Sequence, residues 1–432
     1  MTTLPKPTPA LRQGFSLVEL LVATTIGLAV MAAIASLFSL LGRSMSQSQS
    51  TVELASRLRS TAWQLRQDLA GVTVGVGPWT QPDANSGYFE LIEGPTRDTT
   101  NTIVSGTPTS NLTGDTDDIL LFTTQSVGSP FVGKFDSDTI ESPNAEIAWF
   151  CRPSANQPVT GTILYNLYRR QLLVVTYVGK APFLSGNNSI PTASFAPNGD
   201  PLYDISMRTD GSAYYPNSLG DLAKRENRFR HASVFPHVFQ SDANATFDST
   251  NRVWEDVVLT NVVAFDVKVF DPKVRAQRSS GITLYPGDLA YTGTASTSGT
   301  GAYGAYVDLG WGGGGVTSMS GTFPPAGQTA FQSGGVAVRN GATTNLLGSS
   351  TFDTWSLHYE FNGLDEDNDG ITDEGTNGAD NNGDDLPDNP TEFETSPPYP
   401  VILRGVEVRI RCYEATSKQV RQITIRHSFI NR

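Results

Sequence analysis

Acidic side chains are concentrated in one segment of the chain, residues 362–395. Twelve of the 43 Asp and Glu residues lie there, and the segment contains no Lys or Arg. Because the whole chain has 30 Lys and Arg, the other acids and bases nearly balance, and this segment accounts for the net charge of −13. The near-neutral remainder offers no basic patch for binding nucleic acid. The acidic segment itself could bind a hard cation through carboxylate oxygens.

The carboxylates of this segment follow a repeated spacing. Two patterns begin 15 residues apart, each with oxygen-bearing side chains at positions one, three, five and nine. Position seven supplies a backbone carbonyl, as in loops that wrap around Ca²⁺. We therefore predict structural calcium binding by two loops. The predicted ligands are Asp365, Asp367, Asp369, Ile371 and Asp373 in the first loop, and Asp380, Asn382, Asp384, Leu386 and Asp388 in the second.

The two loops differ at the positions that shape the turn. Gly370 occupies position six of the first loop, whereas Asp385 stands at that position in the second. Position twelve of the first loop is Thr376 rather than the bidentate Glu of an EF-hand, so the loops resemble calcium repeats of thrombospondin type 3 and dockerin modules. A solvated acidic loop is the alternative. Bound calcium would neutralise and order the segment, so we expect a structural site rather than a switch.

A second informative pattern lies at the N-terminus. After Gly14, an apolar run extends from Phe15 over residues 15–41, and Glu19 is its one charged residue. A helix of that length measures about 40 Å, which exceeds a hydrocarbon core of about 30 Å. The sequence therefore predicts a transmembrane helix over residues 15–41. A carboxylate inside such a segment is costly, and it marks Glu19 as a candidate functional residue.

The short segment before this helix, residues 1–14, has the properties of a leader. It contains two basic residues and no acid, which favours a cytoplasmic N-terminus and export of the chain beyond the helix. An ordinary secretory signal is cleaved after its apolar stretch. Here the junction suggested by the sequence precedes that stretch, so the apolar helix would remain in the mature protein.

The residues GFSLVELL, from Gly14 onward, resemble the processing site of prepilin-type leaders, which occur in type IV pilins and type II secretion pseudopilins. The resemblance implies that a prepilin peptidase cuts after Gly14 and methylates the new N-terminus at Phe15. It also implies that Glu19 takes part in methylation and in docking into a growing filament. A plain signal anchor, with Glu19 at the membrane interface, is the alternative interpretation.

The helix is predicted to continue beyond the membrane as an amphipathic stem over residues 42–71. Apolar residues recur there every three or four positions, which defines one apolar stripe. Gly71 follows the last of them and predicts the end of the helix. The stripe consists of Leu54, Leu58, Ala62, Leu65 and Leu69.

The exported part, residues 72–432, is predicted to be rich in β-strands. Apolar and polar residues alternate with period two in several stretches, as in half-buried strands. A Gly/Ser/Thr-rich insertion at 279–350 and the calcium-loop segment at 362–395 interrupt them. The predicted fold class is α+β, a long N-terminal transmembrane and amphipathic helix followed by a mainly antiparallel β domain. The predicted strands are 118–123, 163–177, 263–269, 355–361, 406–412 and 423–429, the last two as a C-terminal hairpin.

The two cysteines, Cys151 and Cys412, both fall in predicted strands. An exported compartment permits a disulfide between them. Two buried thiols that pack as small apolar side chains are an equally compatible interpretation.

The resemblance extends beyond the leader. The helix end LRQDL, the strand LTNVVAFDVKVFDP and the closing PYPVILRGVEVRIRCYE with VRQITIRHSFI resemble J-type minor pseudopilins and W-type minor pilins. This implies a single-pass inner-membrane protein with a periplasmic domain, which assembles with other pseudopilins in a filament tip complex. A W-type pilin of a surface pilus and a membrane-anchored calcium-dependent adhesin are the alternatives. No nucleophile–base or acid pair predicts an enzyme.

Overall fold

The structure is a computed structural model of the 432-residue chain. It forms two compact units, residues 1–53 and 54–432, which are described separately. The residues described are 16–75, 85–93, 101–104, 107–110, 114–135, 138–154, 163–175, 204–209, 214–230, 256–275, 277–279, 282–285, 303–309, 351–355, 363, 370–374, 376–381, 383, 385–388 and 403–430.

One long helix, α1, runs from Leu17 to Ala70. It ends where Gly71 adopts a turn and donates its N–H to the Gln67 carbonyl at 3.2 Å. A side chain is excluded at this position, because a Cβ atom on Gly71 would lie 2.0 Å from the carbonyl oxygen of Gln125. The helix therefore stops where its backbone meets the sheet of the second unit.

The helix differs between the two units. In the first unit, the helical residues 17–49 are all exposed. In the second unit, the apolar stripe predicted from the sequence is confirmed, because its five members are at most 6% exposed. The stripe joins the main hydrophobic core of the second unit.

A buried carboxylate fixes the end of α1 on this core. Asp68 is 3% exposed and accepts two hydrogen bonds from Arg169, from Nε to Oδ2 and from Nη2 to Oδ1, each at 2.7 Å. Its Oδ2 also accepts the indole N–H of Trp149 at 3.0 Å. Bidentate Arg–carboxylate pairs are strong and directional, so this contact fixes the rotation of the last helical turn.

The second unit is built on antiparallel strands. They are β1 (Phe89–Ile92), β2 (Asn101–Val104), β3 (Thr107–Ser110), β4 (Ile119–Gln125), β5 (Phe131–Phe135), β6 (Asp138–Ser142), β7 (Asn144–Pro153), β8 (Tyr165–Val174), β9 (Met207–Thr209), β10 (Tyr214–Pro216), β11 (Val257–Arg275), β12 (Gln277–Ser279), β13 (Ile282–Leu284), β14 (Tyr303–Val307), β15 (Thr351–Asp353), β16 (Gly405–Glu414) and β17 (Gln419–Ser428).

Nine of these strands form the main sheet, in the order β15-β1-β4-β7-β8-β11-β16-β17, with β14 paired to β11. Each named strand pair in it is antiparallel. Together with the long N-terminal helix, this confirms the predicted α+β class. The predicted C-terminal hairpin is also confirmed, since β16 pairs with β17 from Gly405↔Ser428 to Glu414↔Gln419.

The strand predicted at 263–269 is confirmed as part of β11, but the expectation that it is half-buried is wrong. Every residue from 262 to 269 is buried, including Asp266 and Lys268, whose alternation with apolar residues suggested a solvent-facing side. The polar side of β11 is covered because Lys268 binds Asp308, which follows β14, as well as its neighbour Asp266. β11 itself is 19 residues long and pairs with β16 on one edge. Its other edge pairs with β8 near its start and with β14 near its end, and residues 114–118 contact the part in between.

Two predicted segments lie partly outside the described residues. The strand predicted at 355–361 is described at Trp355, which is buried in a turn after β15. Within the insertion at 279–350, the described residues include β13 and β14. The long chain between β11 and β16 thus contributes two strands, β14 and β15, to the main sheet.

Candidate functional site

The N-terminal site is described from Ser16 onward, so Gly14 and Phe15 lie outside the described residues. Glu19 lies in the first turn of α1, and its Oε2 accepts the backbone N–H of Ser16 at 2.9 Å. The first N–H groups of a helix have no partner within the helix, and a carboxylate there is also favoured by the helix dipole. The Glu19 carboxylate therefore turns back toward the residue that follows Phe15.

The helix that carries Glu19 is suited to a membrane. It is long and apolar enough to cross one, and the most apolar window is not buried within the structure. Its large apolar side chains are exposed, as they must be to contact lipid or the helices of neighbouring subunits. They include Leu17, Leu20, Leu21, Ile26, Leu28, Met31, Ile34, Leu37, Phe38 and Leu40.

The two predicted calcium loops close in the same way. Gly363 donates its N–H to the Asp373 carboxylate, at 2.9 Å to Oδ1 and 3.1 Å to Oδ2. Fifteen residues later, Gly378 donates its N–H to Asp388 Oδ1 at 2.8 Å. Both glycines have positive φ, 80° and 79°, and both aspartates have φ near 53°, at 52° and 54°. The sequence repeat is therefore also a repeat of backbone geometry.

The turn at position six is equivalent in the two loops despite the difference in residue type. Gly370 has φ of 99°, and Asp385 adopts the left-handed region as well, at 66°. Asp tolerates this region better than most residues with a Cβ. In the second loop the turn is supported by Asp380, whose Oδ1 accepts the Gly383 N–H at 2.7 Å and whose Oδ2 accepts the Asp385 N–H at 2.8 Å.

The ten predicted loop ligands divide into two groups. Five of them lie outside the described residues, namely Asp365, Asp367, Asp369, Asn382 and Asp384. The other five are described, namely Ile371, Asp373, Asp380, Leu386 and Asp388. In each loop the aspartate predicted at position nine is exposed or half-buried and already holds the loop closed through a backbone N–H.

The cysteines lie in the main sheet as free, buried thiols. Cys151 is on β7 and Cys412 is on β16, with β8 and β11 between them. Neighbouring strands are about 4.8 Å apart, so three steps along a sheet span roughly 14 Å. A disulfide requires Cα atoms within about 7 Å. The arrangement matches the alternative of two buried thiols, and burial raises the pKa of Cys412 to about 12.

The sequence did not predict a second, buried group of acids. Glu93, which follows β1, meets Asp115 and Asp118, which precede β4, and one carboxylate oxygen of each lies within 4.8 Å of the others. Glu93 is 2% exposed, and both aspartates are fully buried. Asp266 and Asp308 lie beside them and hold the ammonium group of Lys268. We refer to Glu93, Asp115 and Asp118 as the buried carboxylate cluster.

Burial and mutual repulsion disfavour ionisation of this cluster. Burial, followed by the charge of Asp118, raises the pKa of Asp115 to about 12. Burial and neighbouring carboxylates likewise raise the pKa of Glu93 and of Asp118 well above the ordinary range. Burial alone would lower the pKa of Lys268, but Asp308 and Asp266 raise it above its ordinary value.

Another buried carboxylate, Glu146 on β7, has a complete set of partners. Its Oε1 accepts hydrogen bonds from the Tyr88 hydroxyl at 2.8 Å and the Phe229 N–H at 3.0 Å, and its Oε2 accepts one from the Ser206 hydroxyl at 2.7 Å. Burial raises the pKa of Glu146 to about 7, although these hydrogen bonds and the charge of Arg228 oppose the shift.

Comparison with known proteins identifies the N-terminal site. Residues 10–35 match the family described as the prokaryotic N-terminal methylation motif, which spans Gly14, Phe15 and Glu19. No curated protein and no solved structure matches the chain significantly. The motif and the apolar helix together support a type IV pilin-like protein, anchored in the membrane by one span, processed by a prepilin peptidase and assembled with other pilins. Such proteins are structural rather than enzymatic.

Proposed function

We propose that the chain is a minor pseudopilin of a type II secretion-like filament, in which it joins a tip complex and contributes to protein secretion. The observation that carries the proposal is the prepilin-type motif at residues 10–35, with Glu19 in the first turn of a long, exposed apolar helix. An antiparallel sheet domain after that helix is the second requirement of a pilin-like subunit, and the chain has one.

The chemistry of assembly would centre on the start of the helix. Cleavage after Gly14 would create an amine at Phe15, which lies one residue before the Ser16 N–H that Glu19 accepts. A carboxylate within the membrane is costly unless a positive group compensates it. The amine of a neighbouring subunit can supply that charge, so Glu19 would favour docking of this helix beside another processed N-terminus.

The calcium loops would serve the exported domain. We infer that residues 362–395 bind calcium as a structural ion, which is supported by the equivalent closure of the two loops at Gly363 and Gly378. Twelve carboxylates in this short segment repel one another, and calcium would neutralise part of that charge. The same loops would also suit a calcium-dependent adhesin, but such a protein has no need of Glu19.

The assembly role can be tested by crosslinking in cells that make the full-length chain. A single cysteine introduced at the exposed Ser46 (Ser46→Cys) carries a thiol–amine crosslinker, while the two natural thiols are buried. We expect Glu19→Ala to remove most of the crosslinks to filament subunits, because the docking charge is lost. Glu53→Ala, which removes an exposed acid farther along the same helix, should preserve them.

Unchanged incorporation of the Glu19→Ala protein would contradict the assembly role. The identity of the captured subunits separates the remaining alternatives. Secretion pseudopilins among the products support the proposal, whereas subunits of a surface pilus would favour the W-type minor pilin, and capture of neither type would favour the adhesin.

A further inference from the structure

The buried carboxylate cluster has the dimensions of a calcium site. One oxygen from each of Glu93, Asp115 and Asp118 lies within 4.8 Å of the other two. Calcium binds oxygen at 2.3–2.6 Å, so two ligands on opposite sides of the ion are separated by about 4.8 Å. All three oxygens therefore fit around a single ion. Carboxylates suit calcium better than zinc, which prefers His and Cys.

The three carboxylates are held in place by backbone N–H groups. Leu309 donates to Glu93 Oε2 at 3.1 Å, and Val267 donates to Asp118 Oδ2 at 2.6 Å. Asp117 donates to Asp115 Oδ1 at 3.3 Å. Metal-ligating carboxylates are generally hydrogen-bonded in this way, with one oxygen held by the protein and the other directed at the ion. The donors come from the strand β11, from the segment just after β14 and from the cluster's own segment.

The Glu93 side chain provides independent support for a cation at this site. Its Oε1 is buried and accepts no hydrogen bond from any described residue, although the residue is 2% exposed. An unpaired polar atom in such a position is destabilising, and more so when it is charged. The carboxyl groups of Asp118, Asp308 and Asp115 surround this side chain. A cation among these groups would supply the partner that Oε1 lacks.

Charge balance also favours a cation. Five buried carboxyl groups lie together, namely Glu93, Asp115, Asp118, Asp266 and Asp308, and Lys268 contributes one positive charge. A divalent ion would compensate two more carboxylates.

We propose that Glu93, Asp115 and Asp118 bind one calcium ion at a buried site that is separate from the tandem loops. The ion would connect the chain after β1 to the segment before β4, beside β11 and the end of β14. The N–H groups that hold Asp118 and Glu93 belong to Val267 and Leu309, which lie far along the chain, so the site forms only when the domain folds. Its role would therefore be to stabilise the folded exported domain, and this role does not depend on how the subunit assembles.

The experiment counts calcium on the full-length protein in detergent micelles. The protein is purified in millimolar calcium, free ions are removed by gel filtration, and bound calcium per chain is measured by mass spectrometry. All variants carry the changes Asp373→Asn and Asp388→Asn, which disable the loops and isolate the buried cluster. In this background we expect one bound calcium per chain, and Glu93→Gln should lose it, with an affinity loss of at least about 100-fold.

Thermal unfolding gives the second readout. In calcium, the parent with disabled loops should melt at least about 5 °C higher than in chelator, because the ion binds only the folded state. Glu93→Gln should lose this shift but melt at or above the parent in chelator, since the amide removes a buried acid. Glu141→Gln, an exposed position on β6, is the matched control and should retain both the ion and the shift.

Three results would overturn the proposal. The parent with disabled loops could contain no calcium, Glu93→Gln could retain the full amount, or the thermal shift could be the same in Glu93→Gln and its parent. If Glu93→Gln fails to fold, Asp115→Asn replaces it with the same expectations, and the calcium content of the parent decides independently of either variant.

Discussion

The chain contains two acidic regions that differ in how they are built. In the tandem loops, the acids are close in sequence, and each loop closes through hydrogen bonds within about ten residues. Among the acids that the structure describes there, Asp373 is half-buried and Asp380, Asp385 and Asp388 are exposed. In the buried carboxylate cluster, Glu93 and Asp118 come from separate segments and meet beside β11. A local repeat can specify the first arrangement, whereas only the completed fold can specify the second.

The difference has an energetic consequence. Exposed carboxylates remain hydrated and screened by salt, so each contributes little to folding. Buried carboxylates have lost their water, and an uncompensated buried charge costs several kcal/mol. Substitution of an acid in the loops should therefore change stability little. Removal of the partner of a buried carboxylate in the cluster should destabilise the folded protein.

The largest expected effect is at Lys268. Lys268→Met removes the ammonium group that binds Asp308 and Asp266 and leaves their carboxyls without this partner. We expect a loss of about 3–5 kcal/mol in the free energy of unfolding, as for breaking a buried ion pair. Denaturant unfolding of the full-length protein in chelator measures it. Asp380→Asn in the loops should change stability by less than about 0.5 kcal/mol, and equal losses in the two variants would remove the distinction between the regions.

The next effect concerns a buried carboxylate that has its hydrogen-bond partners, Glu146. Because its pKa is raised from 4.5 to about 7 in the folded protein, the folded state binds the extra proton between these values. Its contribution to stability is complete below about pH 4.5 and is lost as the pH rises through 7. A pKa shift of this size corresponds to about 3 kcal/mol in the free energy of unfolding.

This contribution is measured as the difference in the free energy of unfolding between the wild type and Glu146→Gln across pH 4 to 8. The amide does not titrate, so the wild type should lose stability relative to the variant as the pH rises, and the difference should level off above about pH 8. Subtraction removes the titration of the cluster, which both proteins share. A difference that stays flat with pH would show that the hydrogen bonds of Tyr88 and Ser206 fully offset the burial of Glu146.

The sequence predicted the features that depend on local periodicity. The helix stripe from Leu54 to Leu69 and the hairpin of β16 and β17 follow from apolar spacing, and both are present. The in-phase repeat of the two loops follows from the spacing of Asp and Gly. In each case, the residues that form the sequence pattern are close together in the chain and lie in the same structural element.

The features that the sequence did not predict depend on contacts between distant segments. Asp266 and Lys268 alternate with apolar residues, which is typical of an exposed face, but both are buried, and Lys268 binds Asp308, which follows β14. Asp115 precedes the predicted strand 118–123 and Asp118 is its first residue, so neither stands out as part of a buried site. The available signal was a group of three acids within residues 115–118 next to an apolar stretch, and it does not identify Glu93 as a member of the buried carboxylate cluster.

The smallest expected effect distinguishes the two loops from each other. Asp385 holds φ of 66° at the position where Gly370 holds 99° in the first loop. A residue with a Cβ pays about 1 kcal/mol for the left-handed region, whereas Gly does not. Asp385→Gly should therefore strengthen calcium binding by the second loop up to about fivefold. Gly370→Ala should weaken calcium binding by the first loop by more, because the φ of Gly370 lies farther from the region that a Cβ tolerates.

Calorimetric titration of the Glu93→Gln protein isolates the loops for this comparison. If Asp385→Gly instead weakens binding, then the Asp385 carboxylate is itself a ligand, and the second loop binds its ion with a different set of oxygens from the first.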